Sequence, residues 1–308
     1  MTCSICGYTT YKEVSKVTAA QLEIYEENGR KYVDFGSYPQ THVANQDLIN
    51  ELNKLNETNE RGYYEYNKNE YAKVKADPYS TNYTDQYGQT HNFKYSSGAD
   101  IKNNTYEWFK VEPIKWRILS NNSDTYYVLS EYILTTQLYH KDAYYRLIDG
   151  VDVPANDYKY SDIREFLTNT FLNSAFTLKQ QDSLVITGLD NSAIPTASSS
   201  NTYVWENTFD KIYLLSFQDM YNINYGFHSN AGEYDEARKA ALTDYAKATG
   251  CWRLIDNDNL DMGFWWLRSP DSVDPRFAGS VNYNGVVSMH TIFVSYVGVR
   301  PATAIAIQ

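Results

Sequence analysis

The sequence predicts an α+β domain. Three observations predict it: many short runs that alternate apolar and polar residues, two amphipathic helical segments, and long irregular connections between them. Strands and helices do not alternate regularly along the chain, so the parallel sheet of an α/β protein is not expected. No repeat of fixed period is visible.

The strand signals begin near the N-terminus. The first strand is predicted over residues 31–35, and we expect it to end at Gly36 and at a turn over residues 37–40. Regular structure is predicted again at 114–119 and 126–130, where two alternating runs are separated by four polar residues. A polar connection between two such runs predicts a β-hairpin.

Two helices are predicted in the second half of the chain. Ser161 suits the N-cap of the first helix, because a serine hydroxyl accepts a hydrogen bond from the first helical turn. Apolar spacing of the i, i+3, i+4, i+7 type marks its buried face: Ile163, Phe166, Leu167, Thr170, Phe171 and Ser174. The second helix is predicted from Asp235, whose carboxylate favours a helix N-terminus, to Gly250 as the expected C-cap residue.

Further strands are predicted around these helices. Residues 211–216 are predicted to form a buried strand, and three further strands are predicted within residues 264–308. Asn284-Gly285 between two of those runs is a strong hairpin turn signal. Residues 50–105, in contrast, are rich in Tyr, Asn, Lys and Thr and poor in aliphatic residues. This composition indicates a long insertion and not a core segment.

Charge and composition narrow the range of partners. The net charge of −11 among 308 residues repels phosphate backbones, so nucleic acid and anionic membrane surfaces are poor partners. No apolar run approaches the roughly 18 residues of a membrane span. The 30 tyrosines favour a recognition surface, because Tyr offers a large, stiff contact area and a hydroxyl.

We expect residues 1–25 to be a leader or the remnant of an upstream region, and the protein to act outside a bacterial cell or on its surface.

Motifs for nucleophilic, phosphate-binding or zinc chemistry are missing from the sequence, and its five histidines do not share a metal-ligand spacing. Cys3 and Cys6 have the spacing of half a zinc ribbon without a second pair, so we interpret them as a fragment of an upstream repeat. Cys251 is predicted to be a small buried hydrophobe. The sequence therefore predicts no catalytic residue, no metal site and no cofactor.

The sequence contains many acidic residues, but their spacing does not identify a calcium-binding or catalytic site. The cluster from Asp256 to Asp261 is not an EF-hand, because Leu260, Asp261 and Leu267 occupy positions that such a loop gives to a ligand, a glycine and a glutamate. A solvated acidic loop is favoured, and a looser calcium site stays open. The acid pairs Glu206 with Asp210 and Glu233 with Asp235 are interpreted as helix-end and surface charge and not as glycosidase carboxylates.

Two segments near the C-terminus are specific: Trp-Trp-Leu-Arg-Ser-Pro at 265–270 and Gly-Val-Arg-Pro-Ala at 298–302. They resemble a bacterial family of domains of unknown function that is defined by this ending and found in secreted and surface proteins. Segments in the order of that family run through the chain, so the resemblance covers about residues 30–305: 33–40, 112–119, 161–164, 171–176 and 211–216.

This ending is also similar to the last strands of the C-type-lectin fold in the formylglycine-generating-enzyme group. The resemblance implies one C-type-lectin-like domain at 26–308, with two flanking helices, a small twisted antiparallel sheet, long loops and the 50–105 insertion on its rim. It also implies that the strand near Val33 pairs with the strand near Ala304. The oxidase chemistry of that group needs two cysteines, and only Cys251 lies outside the leader. Calcium-binding lectin motifs are matched only partly, by Glu112-Pro113-Ile114 and Trp205-Glu206-Asn207.

The same fold carries the variable proteins of diversity-generating retroelements, whose C-terminal residues are replaced while the framework strands are kept. The resemblance implies a receptor for a protein or glycan ligand, with a structural or adhesive surface module, or less readily an enzyme, as alternatives. The framework comprises Trp265, Trp266, Leu267, Arg268, Pro270, Ala278, Val281, Gly285, Val287, Val294 and 298–302. The implied ligand-binding residues between them are Asp271, Val273, Asp274, Arg276, Phe277, Tyr283, Val286, Met289, His290, Phe293, Ser295 and Tyr296.

The sequence also predicts the burial of individual framework residues. Trp265 and Trp266 are adjacent, so in a strand they face opposite sides. One is expected in the core, and the other either in the core or in a ligand platform. Arg268 and Arg300 are expected to be buried structural ion-pair partners and not ligand binders.

Overall fold

The computed structural model describes residues 19–85, 87–191, 205–255, 261–271 and 273–307. In this part of the chain, strands are many and helices few and short. The strands, in chain order, are β1 Ile24–Glu27, β2 Arg30–His42, β3 Tyr64–Tyr66, β4 Asn69–Lys75, β5 Asn82–Thr84, β6 Thr90–Asn92, β7 Tyr106–Asn121, β8 Thr125–Ser130, β9 Thr135–Thr136, β10 Arg146–Ile148, β11 Val151–Val153, β12 Thr187–Leu189, β13 Thr208–Asp210, β14 Ile212–Tyr213, β15 Arg253–Ile255, β16 Asp261–Gly263, β17 Trp265–Pro270, β18 Phe277–Val281, β19 Val287–Thr291, β20 Gly298–Val299 and β21 Ala302–Ala306.

The helices lie mostly between these strands. Helix α1 is Gln46–Leu52. Helix α2 consists of an α-helical turn, a π-helical stretch and a second α-helical turn: Asp162–Glu165, Phe166–Phe171 and Leu172–Ala175. Helices α3 and α4 are Leu178–Gln181 and Asp244–Ala248, and three 3-10 helices are Tyr158–Tyr160, Gln218–Tyr221 and Ile223–Tyr225. The predicted α+β class is confirmed in its broad form.

The main sheet has eight strands, so the small sheet expected from the sequence is wrong. Its order is β1-β2-β7-β8-β21-β14, and β3 and β4 extend it through pairing of β4 with the first half of β7. The predicted hairpin of 114–119 with 126–130 is confirmed as β7 and β8. The expected pairing of the Val33 strand with the Ala304 strand is wrong, because β7 and β8 lie between β2 and β21. The two ends of the described chain nevertheless meet, where the Ala20 amide donates to the Ala306 carbonyl over 2.8 Å.

The predicted turn at Gly36 is also wrong, because β2 continues to His42. Its register against β7 shifts twice, between Asp34 and Ser37 and between Pro39 and Thr41. Gly36 has φ +66°, and a Cβ there would collide with the ring of Phe176. The turn-like residues therefore form bulges that bend a long strand over the core, which is where glycine and proline are tolerated within a sheet.

A second sheet has the order β19-β18-β17-β20-β9. The hairpin signal at Asn284-Gly285 is confirmed, because β18 and β19 pair around it and Gly285 has φ +80°. A Cβ at Gly285 would overlap the backbone of Asp235. The turn of this hairpin therefore packs directly against the backbone at Asp235.

Helix α2 confirms the predicted cap at Ser161 and half of the predicted buried face, whereas Thr170 is exposed and Phe166 and Ser174 are half-buried. The Ser161 hydroxyl accepts from the Arg164 amide at 3.2 Å, and Ile163, Leu167 and Phe171 are fully buried. The ring of Phe171 lies 5.0 Å from that of Tyr38 on β2. Burial of these side chains against β2 supplies the tertiary contacts that stabilise so short a helix.

The predicted helix from Asp235 to Gly250 is largely wrong, since only α4, capped by Thr243, is helical. The Leu242 amide donates to the Asp261 carbonyl, and the Ile133 amide donates to the Ala241 carbonyl. These strand-like pairings take the backbone groups that a helix would use. The 211–216 strand is confirmed only as β14, although residues 214–216 are also buried.

Arg238 organises the irregular segment before α4. Its fully buried guanidinium donates to six carbonyl oxygens: those of Met220, His228, Asn230, Ala231, Glu233 and Gly285. Asp235 lies 3.1 Å from its Nε and compensates the charge. The backbone carbonyl of Arg238 in turn accepts from Trp265 and Arg300 at 3.0 Å each.

The framework expectations hold. Trp265 and Trp266 are both fully buried, so neither is a ligand platform. The Trp266 indole donates to the Gln137 carbonyl at 2.9 Å. Arg268 and Arg300 are buried and lie 3.2 and 3.9 Å from carboxylate oxygens of Asp219 and Glu131, which confirms them as structural ion-pair partners.

The segment 50–105 contributes to the packing as well as to the surface. Leu52 and Tyr71 pack with Trp108 of β7, and Phe93, Tyr95 and Ile101 pack with Phe109. Two satellite cores of this kind hold the segment against β7.

We expect Arg238→Lys to lower the free energy of unfolding by about 3–5 kcal/mol, because an ammonium cannot serve carbonyls on several sides and Asp235 loses its close partner. Chemical denaturation measures the change. Arg276→Lys, at an exposed ion pair with Asp274, is the matched control and should leave the free energy of unfolding nearly unchanged, because an exposed ion pair contributes little to stability. Equal losses in the two variants would contradict the structural role of Arg238.

Candidate ligand-binding surface

Six ring side chains lie together beside the second sheet, and we name them the aromatic surface: Tyr79, Trp252, Phe264, Tyr283, His290 and Tyr296. Trp252 stacks on Phe264 with ring centroids 4.4 Å apart. Tyr79 is exposed and the other five are half-buried. Rings that are fixed by one another and still reach solvent can present flat apolar faces to a ligand.

Separate parts of the chain supply these rings. Tyr79 comes from the 50–105 segment, Trp252 and Phe264 flank the β15–β16 hairpin, and Tyr283 lies in the β18–β19 turn. The backbone fixes their spacing, because the Trp252 amide donates to the Tyr296 carbonyl at 2.9 Å. The aromatic surface therefore depends on tertiary structure and not on one local motif.

His290 is the polar member of the aromatic surface. It lies on β19 opposite Ala278, with its ring 4.7 Å from Phe264. Its Nδ1 lies 2.7 Å from the Ser280 hydroxyl, which fixes the plane of the ring. Burial lowers the pKa of His290 below its ordinary value. The neutral imidazole is therefore the favoured form in the folded protein.

The residues implied as binding positions differ in burial from the framework around them. None of the twelve is buried. The framework residues from Trp265 to Ala302 are buried, apart from the half-buried Val287 and Val294. Side-chain changes at the twelve positions are thus compatible with an unchanged core.

The structure brings only three of the twelve into the aromatic surface: Tyr283, His290 and Tyr296. A second group forms the β17–β18 loop, where Asp271 accepts from the amides of Val273 and Asp274, and Arg276 pairs with Asp274. The side-chain amide of Asn156 donates to the backbone carbonyls of residues 271, 274 and 277 and so holds this loop in place. The loop is therefore a separate, well-braced surface.

The remaining positions are dispersed. Phe277 and Met289 alternate with Ala278 and His290 on paired strands, so they lie on the opposite face of the sheet. Val286 lies at the hairpin turn, and Phe293 and Ser295 are exposed in the segment after β19. A single contact surface made of all twelve residues is therefore wrong.

Sequence reasoning missed Tyr79, Trp252 and Phe264. A signal existed for Phe264, because a residue two positions before Trp266 shares its face in an extended chain. Tyr79 and Trp252 lie outside the implied tract, and their proximity to Tyr296 arises from the fold.

Groups considered for catalysis or metal binding lie elsewhere. Cys251 is buried, as predicted, and burial raises the pKa of its thiol. Asp210 is not a surface charge, because it is buried and pairs with Arg164 at 2.6 Å, and Asp235 is held by Arg238. Cys3, Cys6 and most of the 256–261 cluster lie outside the described residues. Among the residues that are described, no group of three or more His, Cys, Asp or Glu side chains is placed to hold a metal ion.

Fold and surface together define a sheet-rich α+β protein with a half-buried aromatic surface beside its second sheet. A family model for a domain of unknown function, DUF6273, matches residues 123–307, and the chain belongs to that family. Membership in a family of unknown function is thus confirmed, although the 33–40 and 112–119 segments lie outside the match. The match gives no link to C-type lectins or retroelement variable proteins. No curated protein and no solved structure matches the chain.

No helix of the described chain is long and apolar enough to cross a membrane.

Alanine substitutions should separate surface rings from core rings. We expect Phe293→Ala to cost about 0.5 kcal/mol, because that ring is 45% exposed. Tyr283→Ala should cost about 1 kcal/mol through its contacts with Trp252 and Phe264. Trp266→Ala should cost about 3–5 kcal/mol as a core cavity. Urea unfolding of the three variants measures the series, and equal losses would contradict the assignment of an exposed surface.

Stability should depend on the protonation of His290. Its folded-state pKa lies below the ordinary value of 6.5, so the unfolded chain binds the proton more strongly. The contribution of the neutral ring is therefore complete above about pH 6.5 and is lost as the pH falls through the lower folded-state pKa. We expect His290→Asn to flatten the decline of unfolding free energy between about pH 7 and pH 5.

Unfolding measured across that pH range tests this expectation. Asparagine retains a polar atom near Ser280, and His228→Asn, at a side chain that is 46% exposed, is the control. An unchanged decline in His290→Asn would contradict the assignment.

Proposed function

We propose that this protein is a non-enzymatic ligand-binding module and that the aromatic surface is its contact with a glycan. One observation carries the proposal: five half-buried rings from residues 252–296 and the exposed ring of Tyr79 converge into one surface, while the framework beneath them is buried. Sugar rings present C–H faces that pack against flat aromatic rings. Anchoring aromatics of this kind carry most of the energy of a binding interface.

The polar surroundings suit such a ligand. The Tyr hydroxyls and the His290 imidazole offer hydrogen bonds at the edge of the apolar faces. The rings are braced by neighbours, so little side-chain entropy is lost on binding. The buried Cys251, with a raised thiol pKa, does not favour an oxidase reaction of the formylglycine-generating type.

In its finer form, the proposal makes the chain a variable protein of a diversity-generating retroelement, with a C-type-lectin-like fold and display outside the cell or on its surface. The different burial of the framework and the twelve interposed positions supports it. A reverse-transcriptase gene beside the coding sequence, with an imperfect repeat of its 3′ end, is the expected genomic arrangement.

A structural or adhesive surface module is the second candidate. The β10–β11 hairpin favours it, because Leu147 and Val151 are 74% and 63% exposed and Tyr144 and Tyr145 are exposed beside them. Apolar patches of this kind mark contact surfaces. If the protein is such a module, the aromatic surface is part of its scaffold and binds no ligand.

A glycan array tests the proposed function. We expect labelled wild-type protein to bind a defined subset of glycans, and Trp252→Ala and Tyr296→Ala to lose at least about tenfold in affinity, which corresponds to about 1.4 kcal/mol. Tyr87→Ala is the control, because that ring is 80% exposed and lies outside the aromatic surface. Absence of glycan binding, or binding that is equal in all four proteins, would contradict the proposal.

A further inference from the structure

Arg253 is a buried cation with unused hydrogen-bond donors. Its side chain is 5% exposed, and neither terminal nitrogen of its guanidinium has a hydrogen-bond partner in the described chain. Asp261 lies 3.9 Å from its Nε, which makes an ion pair but is beyond hydrogen-bond distance. The ring of Phe93 covers one face of the guanidinium, with its centroid 3.8 Å from Cζ. Buried donors of this kind ordinarily have a partner.

Arg253 lines a small pocket between the 50–105 segment and the start of β15. The pocket has a volume of about 230 Å³, and Tyr79, Asn82, Phe93, Lys247 and Trp252 also line it. Pockets that enclose drug-sized ligands have roughly 300–1,000 Å³. This pocket therefore suits one small group, such as a single substituent of a larger molecule.

The two cations that line the pocket, Lys247 and Arg253, differ in how their charges are paired. The Lys247 ammonium lies 3.1 Å from Asp244 and 2.5 Å from Asp261, so its charge is already compensated. Asp244 also accepts from the amides of His42 and Ser96. The guanidinium of Arg253 is left with two parallel donors, the arrangement that matches the two oxygens of a carboxylate.

We propose that this pocket binds the carboxylate of an acidic sugar residue, with Arg253 as its bidentate partner. Trp252 and Tyr79 line the pocket and also belong to the aromatic surface, so a sugar ring on Trp252 brings its carboxylate within reach of Arg253. This inference rests on the proposed glycan-binding function and names its ligand class. Neutral sugars would use the aromatic surface without engaging the pocket.

Titration of the full chain with sodium glucuronate, and with glucose as the uncharged match, tests the inference at constant ionic strength. We expect glucuronate to bind at least about tenfold more tightly than glucose by calorimetry. In the ¹⁵N spectrum, the Nε–H signal of Arg253 should shift with glucuronate alone. An unshifted signal in the folded wild-type protein would overturn the inference without any variant.

Variants give the second arm of the test. Arg253→Gln should abolish the preference for glucuronate. Arg253→Lys keeps the charge but loses the two parallel donors, so it should retain only part of the preference, about threefold. Arg30→Gln, which removes a guanidinium at the start of β2 and outside the pocket, should leave the preference unchanged. Tighter binding of inorganic phosphate than of glucuronate would overturn the carboxylate assignment.

The two proposals fail in distinguishable ways. Glycan binding that needs Trp252 and Tyr296 but shows no preference for glucuronate would overturn the pocket inference alone. Glucuronate binding that needs Arg253 but is unchanged in Tyr283→Ala and Tyr296→Ala, whose rings do not line the pocket, would overturn the aromatic surface as the ligand contact.

Discussion

The hydrogen bonds of Arg238 determine how the irregular third quarter of this chain is held to its sheets. One buried guanidinium serves six carbonyl oxygens, and the carbonyl of the same residue accepts from Trp265 of β17 and from Arg300 beside β21. Segments without regular structure leave backbone acceptors unpaired, and a single planar cation with five donors can satisfy several of them at once. The β18–β19 hairpin depends on the same group, because the Gly285 carbonyl is one of the six.

Local patterns in the sequence predicted the elements whose partners are close along the chain. The β7–β8 hairpin, the Ser161 helix and the Asn284-Gly285 turn follow from alternation, capping and turn chemistry. Gly36 and Pro39 suggested a turn because the same residue types serve turns and bulges, and only the pairing of β2 with β7 decides between them. The helix predicted from Asp235 failed because Arg238 and the strand-like pairings of Ala241 and Leu242 override the local helical pattern.

The candidate surface was predictable to the extent that it lies in the C-terminal tract. Tyr283, His290 and Tyr296 belong to that tract, and burial separates its interposed positions from its framework. Alternation along β18 and β19 also shows that Phe277 and Met289 face away from His290, whereas the resemblance implied one binding surface that contained all three. Tyr79 and Trp252 could not be found in this way, because both lie outside that tract. Tyr79 contacts Tyr296 through the packing of the 50–105 segment, and Trp252 contacts Tyr283 across 31 positions of the chain.

The burial of the tryptophans gives this protein a built-in optical signal. Trp108, Trp116, Trp265 and Trp266 are almost completely enclosed, whereas Trp252 and Trp205 are half-buried. A water-soluble quencher such as iodide therefore reaches the indoles of Trp252 and Trp205 well before the other four. Of these two, only Trp252 stacks on Phe264 within the aromatic surface, so a molecule that covers this surface should protect part of the quenchable emission without any label on the protein.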